Sequence, residues 1–310
     1  MQTEQLPLFP HIALGISSQL TAQAPLDAAI KDFHKHMTGE AFTENTIKAF
    51  LSDLRLLKGF IGADKPIGEI ATKDLNNFLT YLRHYRGVPC SAKSYSRRVT
   101  TLKVLFAWLA EEKILPFDPA APLIHQRVSP PLPRILYDDQ VKRLLETTQA
   151  LLQDEEKSDA RPHLLVTLIL QTGIKKTECM EIKLGHIDLS DPKAPVLYIR
   201  YENPRKRRKE RKLQLPPEFP SILKRYLAQY NPQEYLFECT ARNLEYVLSD
   251  VAERAGIKEG VSFEALRMTC AVRDYRTGMP LDKLRKKLGL SSITWGETSE
   301  KIKQLASPAL

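Results

Sequence analysis

The chain has 310 residues, 43% hydrophobic and 27% charged, with a formal net charge of +9, so it is long enough for two domains that each bury their own core. No apolar run approaches the ~20 residues of a membrane helix, and the opening MQTEQLPLFPHIALGIS lacks the basic region and apolar core of a secretory signal. Cys90, Cys179, Cys239 and Cys270 lie far apart with no C-x-x-C spacing, which argues against a zinc or iron–sulfur site and for reduced, structural cysteines in a cytoplasmic protein.

Residues 1–24 are polar and without period, and read as a flexible N-terminal tail. Helical periodicity begins at Leu26, Ala29, Ile30 and Phe33, with an amphipathic helix expected to about Met37. His34 and His36 fall in this stretch, but at i and i+2 on a helix they point apart, so no metal is expected there. Thr43 can cap a second helix whose stripe is Ile47, Phe50, Leu51, Leu54, Leu57 and Phe60, ended by Gly62. Thr72-Lys73-Asp74 opens a third, with Leu75, Phe78, Leu79 and Leu82 inward. Ser91 or Ser94 opens a fourth, with Leu102, Leu105, Phe106 and Leu109 facing the core. Residues 25–115 therefore predict a compact four-helix domain. The early turns of its last helix carry Lys93, Arg97, Arg98 and Lys103 around Tyr95, a patch suited either to phosphate oxygens or to plain solvation.

Prolines at 116, 119, 122, 130, 131 and 133 stop helices and predict a stiff linker over residues 116–133. The second domain, residues 134–310, opens with a helix after Tyr137 in which Val141, Leu144 and Leu145 face inward. His163–Gln171 is apolar all round and predicts a buried helix broken at Thr172-Gly173, and Lys175–Ile182 starts another. Val196–Tyr201 and Lys212–Leu215 read as strands joined by a basic hairpin loop. Helices are expected at about Ser221–Gln229, Ala241–Ala255, Glu264–Gly278 and Leu281–Leu288, with a weaker pattern over Glu297–Leu305. The fold class is mainly α with a small β-hairpin (α+β).

Charge is concentrated in that hairpin. Arg200–Leu215 holds eight Lys or Arg against two acidic residues, a local charge of +6. An excess of this size points to a polyanion, with nucleic acid ahead of an anionic membrane surface, RNA a remote variant, and a solvated turn as the plain alternative.

Four segments resemble the tyrosine recombinase (phage integrase, Xer-like) family across residues 25–305. Thr172-Gly173-Ile174-Lys175-Lys176-Thr177-Glu178 is similar to Thr-Gly-Leu-Arg-x-x-Glu. Arg205-Lys206-Arg207-Arg208-Lys209-Glu210-Arg211 is similar to Gly-Lys-Gly-x-Lys-x-Arg. Glu264-Ala265-Leu266-Arg267-Met268-Thr269 is similar to His-x-Leu-Arg-His-Thr, and Leu288-Gly289-Leu290-Ser291-Ser292-Ile293 to Leu-Gly-His-x-x-Ile. The resemblance implies an N-terminal SAM-like core-binding domain, a C-terminal catalytic-type domain, and a clamp around duplex DNA.

Strand transfer without a metal needs a nucleophile, cations on the non-bridging phosphate oxygens, and groups that move protons. The family supplies these with two arginines, a hairpin lysine, two histidines and a tyrosine. Here the resemblance places Arg267 and Lys206 (with Lys209 as rival) at cationic positions, and Lys175 at the other arginine position, where charge is kept but the bidentate fork is lost. Glu264 and Leu290 stand at the two histidine positions, and Met268 stands at the second histidine of the His-x-Leu-Arg-His-Thr motif. The nucleophile position falls near Ser299, without an evident activating base, and the last tyrosine in the chain is Tyr275. Trp295 is expected in a core or interface. Lys175, Lys206 and Arg267 thus read as a vestigial catalytic set. Lys93, Arg97, Arg98, Lys175, Lys206, Arg207, Arg208, Lys209, Arg211 and Arg267 read as DNA contacts. The expected protein binds duplex DNA without cleaving it, as an accessory or regulatory member of the family. It is expected to be cytoplasmic and nucleoid-associated, and to need no cofactor, metal, membrane or small-molecule substrate. Its expected partners are DNA and an active recombinase or further copies of itself. The competing reading is a divergent active recombinase whose partner supplies the nucleophile.

Overall fold

A computed structural model describes residues 20–40, 42–125 and 131–307. The chain divides into two compact units, Met1–Pro130 and Pro131–Leu310. Most of the expected N-terminal tail, residues 1–19, and the part of the linker at 126–130 lie outside the described residues.

The first unit holds α1 (Leu26–Gly39), α2 (Glu44–Ile61), α3 (Thr72–His84) and α4 (Ala92–Glu111). The predicted caps explain their starts. Thr43 Oγ1 accepts from the Thr46 amide at 3.2 Å, and Ser91, rather than Ser94, caps α4 by accepting from the Ser94 amide at 3.2 Å. Gly62 ends α2 at φ 107°, a backbone region that only glycine enters freely. The stripes Leu26/Ala29/Phe33/Met37, Leu54/Leu57, Leu75/Phe78/Leu79/Leu82 and Leu102/Leu105/Phe106/Leu109 are all buried and form one core. Each buried Leu, Phe or Met side chain among them contributes roughly 1.5–3 kcal/mol of transfer energy. The proline-rich stretch begins differently from a free linker: Ala120 and Leu123 are buried in this same core. Thr72 Oγ1 and Lys103 Nζ hold the stretch by donating to the Pro119 and Ala121 carbonyls at 2.7 and 2.8 Å.

In the second unit α5 (Asp138–Gln153) and α6 (Arg161–Thr172) pack together, followed by the short α7 (Lys176–Met180). Gly173 ends α6 in the left-handed conformation. A three-stranded antiparallel sheet follows, β1 (Ile187–Asp188), β2 (Val196–Ile199) and β3 (Arg211–Gln214), in the order β1-β2-β3. The two-residue β1 is too short to leave a period-2 pattern, and the sequence did not predict it. Leu197 pairs with Leu213 across β2 and β3, both buried. The basic connection is a 3-10 turn over Pro204–Lys209 rather than an open loop. Then come α8 (Phe219–Tyr230), α9 (Ala241–Arg254), α10 (Phe263–Arg276), α11 (Leu281–Lys287) and α12 (Ser292–Ala306). The weak pattern over Glu297–Leu305 is a full helix because Ser291 caps it earlier, accepting from the Thr294 amide at 3.4 Å. α10 lies between α6 and α12, so almost every face of it is covered.

Candidate functional site

α10 begins where Ser262 Oγ accepts from the Ala265 amide at 3.1 Å. That start directs Arg267, in the second turn, into the unit's interior, where it is 5% exposed. Its guanidinium donates to the Gly173 carbonyl and, at 2.7 Å, to the Leu288 carbonyl. Glu264, three residues earlier on the same helix, accepts neither of these bonds. Lys175, just past the Gly173 turn, donates from Nζ to the Gly289 carbonyl at 3.0 Å. Arg211, at the start of β3, donates from Nε to the Lys287 carbonyl at 2.7 Å. Three cations therefore hold three consecutive carbonyls, 287 to 289. The fit leaves no room for larger residues: a Cβ on Gly289 would lie 2.6 Å from Arg211 Nη1, and one on Gly173 would lie 2.9 Å from Leu288 Cδ2.

Glu178 on α7 organises the cations. Its carboxylate takes Arg211 through both oxygens at 3.1 and 2.8 Å, the Tyr201 hydroxyl, and the Lys175 amide at 2.9 Å. Burial alone would push this carboxyl up, but the Arg211 guanidinium outweighs it and holds the group down to about 2. Burial holds the Lys175 ammonium below its usual range; Glu178 opposes this, while Arg267, Lys209 and Arg211 add to it. Burial likewise lowers Arg267. Glu178 stands in the quoted Thr-Gly motif, yet the sequence reading gave it no role. An acidic residue three positions after a helix-start lysine looks like an ordinary cap; its long-range partner on β3 is invisible in one dimension.

Arg267 and Lys175 also border an open cavity of about 450 Å³ shared with Lys176, Glu245 and Glu264. Lys176 is paired with Glu245 at 2.7 Å. A phosphate entering there meets two carboxylates as well as three cations. Met268 is buried in the small third core, with Ile302 of α12, and Trp295 is half-buried against it. Leu290 packs on the same cluster. Ser299 is 7% exposed and donates to the Gly296 carbonyl at 2.9 Å.

The basic turn splits its cations. Lys206 lies over the Tyr201 ring at 5.7 Å and borders a second cavity, apart from Lys175 and Arg267. Lys209 is the hairpin lysine close enough to be felt by Lys175. Arg207 and Arg208 are exposed. Arg211 is not a surface cation: its side chain is 9% exposed and committed to Glu178.

In the first unit only part of the expected patch faces solvent. Lys93 is exposed. Arg97 donates to both oxygens of the buried Asp53 at 2.9 and 2.7 Å, and Arg98, buried, has Nε 3.4 Å from the same carboxylate. The sequence put both arginines on one patch suited to phosphate; the carboxylate on α2 buries Arg98 and holds Arg97, which stays exposed. Among the described residues no three His, Cys, Asp or Glu side chains gather as a metal site, and His36 stacks on Trp108 at 5.1 Å.

A mostly helical second unit with this small sheet, basic turn and Arg267 helix defines a class. The model of the phage integrase family matches residues 134–296, and the phage integrase N-terminal SAM-like domain matches residues 30–113. The chain belongs to the phage integrase family of tyrosine recombinases. The tyrosine recombinase XerC of Staphylococcus saprophyticus subsp. saprophyticus is 27% identical over 262 residues, covering 80% of this chain and 83% of the relative. A tyrosine recombinase of Thermosipho africanus is 25% identical over 277 residues, covering 87% and 93%. Among solved structures, a lambda integrase dimer bound to a COC' core site is similar with a TM-score of 0.68 at 16% identity, covering 93% of this chain and 79% of that one. The XerH recombinase bound to its difH substrate gives 0.63 at 18%, covering 92% and 97%. The fold is thus that of an integrase: a SAM-like N-terminal domain and a mainly α catalytic domain with a three-stranded sheet. No described helix is long and apolar enough to cross a membrane.

Proposed function

We propose that this chain binds duplex DNA through Lys93, the basic turn and the Lys175–Arg267 cavity, and does not cleave it. One observation carries the loss of cleavage. No tyrosine follows Tyr275, and the serine at the expected nucleophile position is buried with its hydroxyl committed to Gly296. The proton-moving positions agree: Met268 and Leu290 have no titratable proton, and Glu264 adds negative charge where a phosphate would sit. Cationic positions outlast the reactive ones, which suits an accessory or regulatory member working beside an active recombinase. The test is a suicide substrate with a nicked site. The expected result is a footprint with no covalent protein–DNA adduct; an adduct that survives denaturation refutes the proposal.

A second reading rests on the cations that still border the cavity. Similar proteins are described as dimers and tetramers on DNA, and a neighbouring subunit supplying a tyrosine would complete this site. That reading requires recombination in a mixture with the partner, abolished by Arg267→Ala. Neither outcome depends on the DNA sequence read, which phosphate contacts do not specify.

A further inference from the structure

The second cavity, of about 380 Å³, is walled by Lys183, His186, Arg200, Tyr201, Lys206 and Tyr235. Its size is at the lower end of ligand pockets. It is built rather than incidental. Lys183 and Tyr235 form an antiparallel bridge, flanked by the Leu184 amide to the Glu234 carbonyl at 2.9 Å and the Leu236 amide to the Ile182 carbonyl at 2.7 Å. The Tyr201 ring is fixed from behind by its hydroxyl on Glu178. His186 Nδ1 accepts from the Lys183 amide at 3.2 Å, which leaves the neutral ring's proton on Nε2 as a donor. Burial, with Lys183 and Arg200, keeps that ring below its usual range and therefore neutral.

Two aromatic rings face this space, each with a lysine nearby: Lys183 Nζ is 5.3 Å from the Tyr235 centroid, and Lys206 Nζ is 5.7 Å from that of Tyr201. Each lysine lies over its ring within cation–π reach, so a flat group takes the ring face as the flexible lysine swings aside to the phosphate next to it. The acids at the rim are Glu181 and Glu202, the latter 3.5 Å from Lys183 and strongly exposed, while Glu234 holds Lys183 at 2.8 Å. Glu210, 3.6 Å from Arg200, is the remaining nearby carboxylate. A purely anionic ligand would gain little here, with three cations against two rim acids. A ligand with an aromatic plane and one phosphate uses everything present.

We infer that this cavity takes one unpaired nucleotide of a DNA strand, its base on the Tyr235 or Tyr201 ring and its phosphate on Lys206 and Arg200. The inference rests on the DNA-binding reading but not on the loss of cleavage. Bases stack on aromatic side chains with little regard to sequence, and cations track the backbone beside them. The basic turn would deliver the strand, since Lys206 belongs to both turn and cavity.

The experiment compares the full chain on three labelled duplexes by fluorescence anisotropy: fully paired, with one unpaired thymidine, and with one unpaired abasic site. The unpaired thymidine should raise affinity about ten-fold over the paired duplex. The abasic bulge and Tyr235→Leu should each remove most of that gain while binding to paired duplex persists at reduced salt, and Lys206→Ala should weaken both duplexes but the bulged one more. A 5-iododeoxyuridine at the unpaired position should photocrosslink to the peptides carrying Tyr201 or Tyr235. Equal affinity for paired and bulged duplexes, a preference that survives the abasic site, or crosslinks elsewhere would overturn the inference and leave duplex binding standing. If no duplex is bound, the duplex reading falls. Thymidine monophosphate then decides the cavity by saturation-transfer NMR: a signal lost in Tyr235→Leu supports it, and no signal overturns it.

Discussion

Among the described residues each unit contains one buried carboxylate that gathers arginines, and the two are not equivalent. Asp53 in the first unit accepts from Arg97 and from Thr101, and lies beside Arg98, but the Arg97 side chain keeps 43% of its exposure. Glu178 in the second unit is matched to an Arg211 that is 9% exposed, and also takes Tyr201 and the Lys175 amide. Asp53 ties α2 to α4, two helices already joined by a broad apolar core. Glu178 ties α7 to the ends of β2 and β3, and through Arg211 to the turn after α11. A buried ion pair is weak evidence of stability in itself, but removing one partner is costly when the other stays buried without it.

Removing either acid separates the two cases most sharply. Glu178→Ala leaves Arg211 buried and unpaired, and should destabilise the chain by about 3–5 kcal/mol in urea unfolding. Asp53→Ala should cost less, about 2 kcal/mol, because Arg97 can turn to water. Equal losses in the two variants would show that burial of the arginine is not what sets the cost.

Acid sharpens the comparison further. The Glu178 carboxyl sits at about 2 in the folded chain against its usual 4.5. Protons therefore bind the unfolded chain first, the contribution is complete above about pH 4.5, and it is lost as pH falls toward about 2. The difference in Tm between the wild type and Glu178→Gln should shrink across that window. A constant difference would contradict the role given to the carboxylate.

The smallest effects on stability belong to the exposed turn. Arg207→Ala and Arg208→Ala should change unfolding energy by less than about 0.5 kcal/mol. Each should nonetheless flatten the slope of log affinity against log salt by about 1, the signature of one lost phosphate contact. Arg211→Ala should do the reverse, behaving as a folding defect in urea unfolding before any DNA is added.

Much of the architecture was legible in the sequence. Thr43 and Ser91 (or Ser94) mark helix starts, Gly62 and Gly173 mark ends, and the apolar stripes name the buried faces, because capping and periodicity are local properties of the chain. The family was legible too, since Gly173 and the Leu288-Gly289 turn stand at fixed places in short motifs. What the sequence could not supply was direction and partner. Arg98 and Arg211 share the composition of the exposed Lys93, Arg207 and Arg208, yet carboxylates from distant segments draw them inside. Lys206 and Lys209 sit three residues apart in one turn, yet Lys206 borders the cavity of Tyr201 and Tyr235 while Lys209 acts on Lys175. Sequence determined which residues carry charge and which faces are apolar, because those follow from residue type and local period. Only the tertiary structure decided which charges remain available to a nucleic acid, because a buried carboxylate captures a cation through space and leaves no mark along the chain.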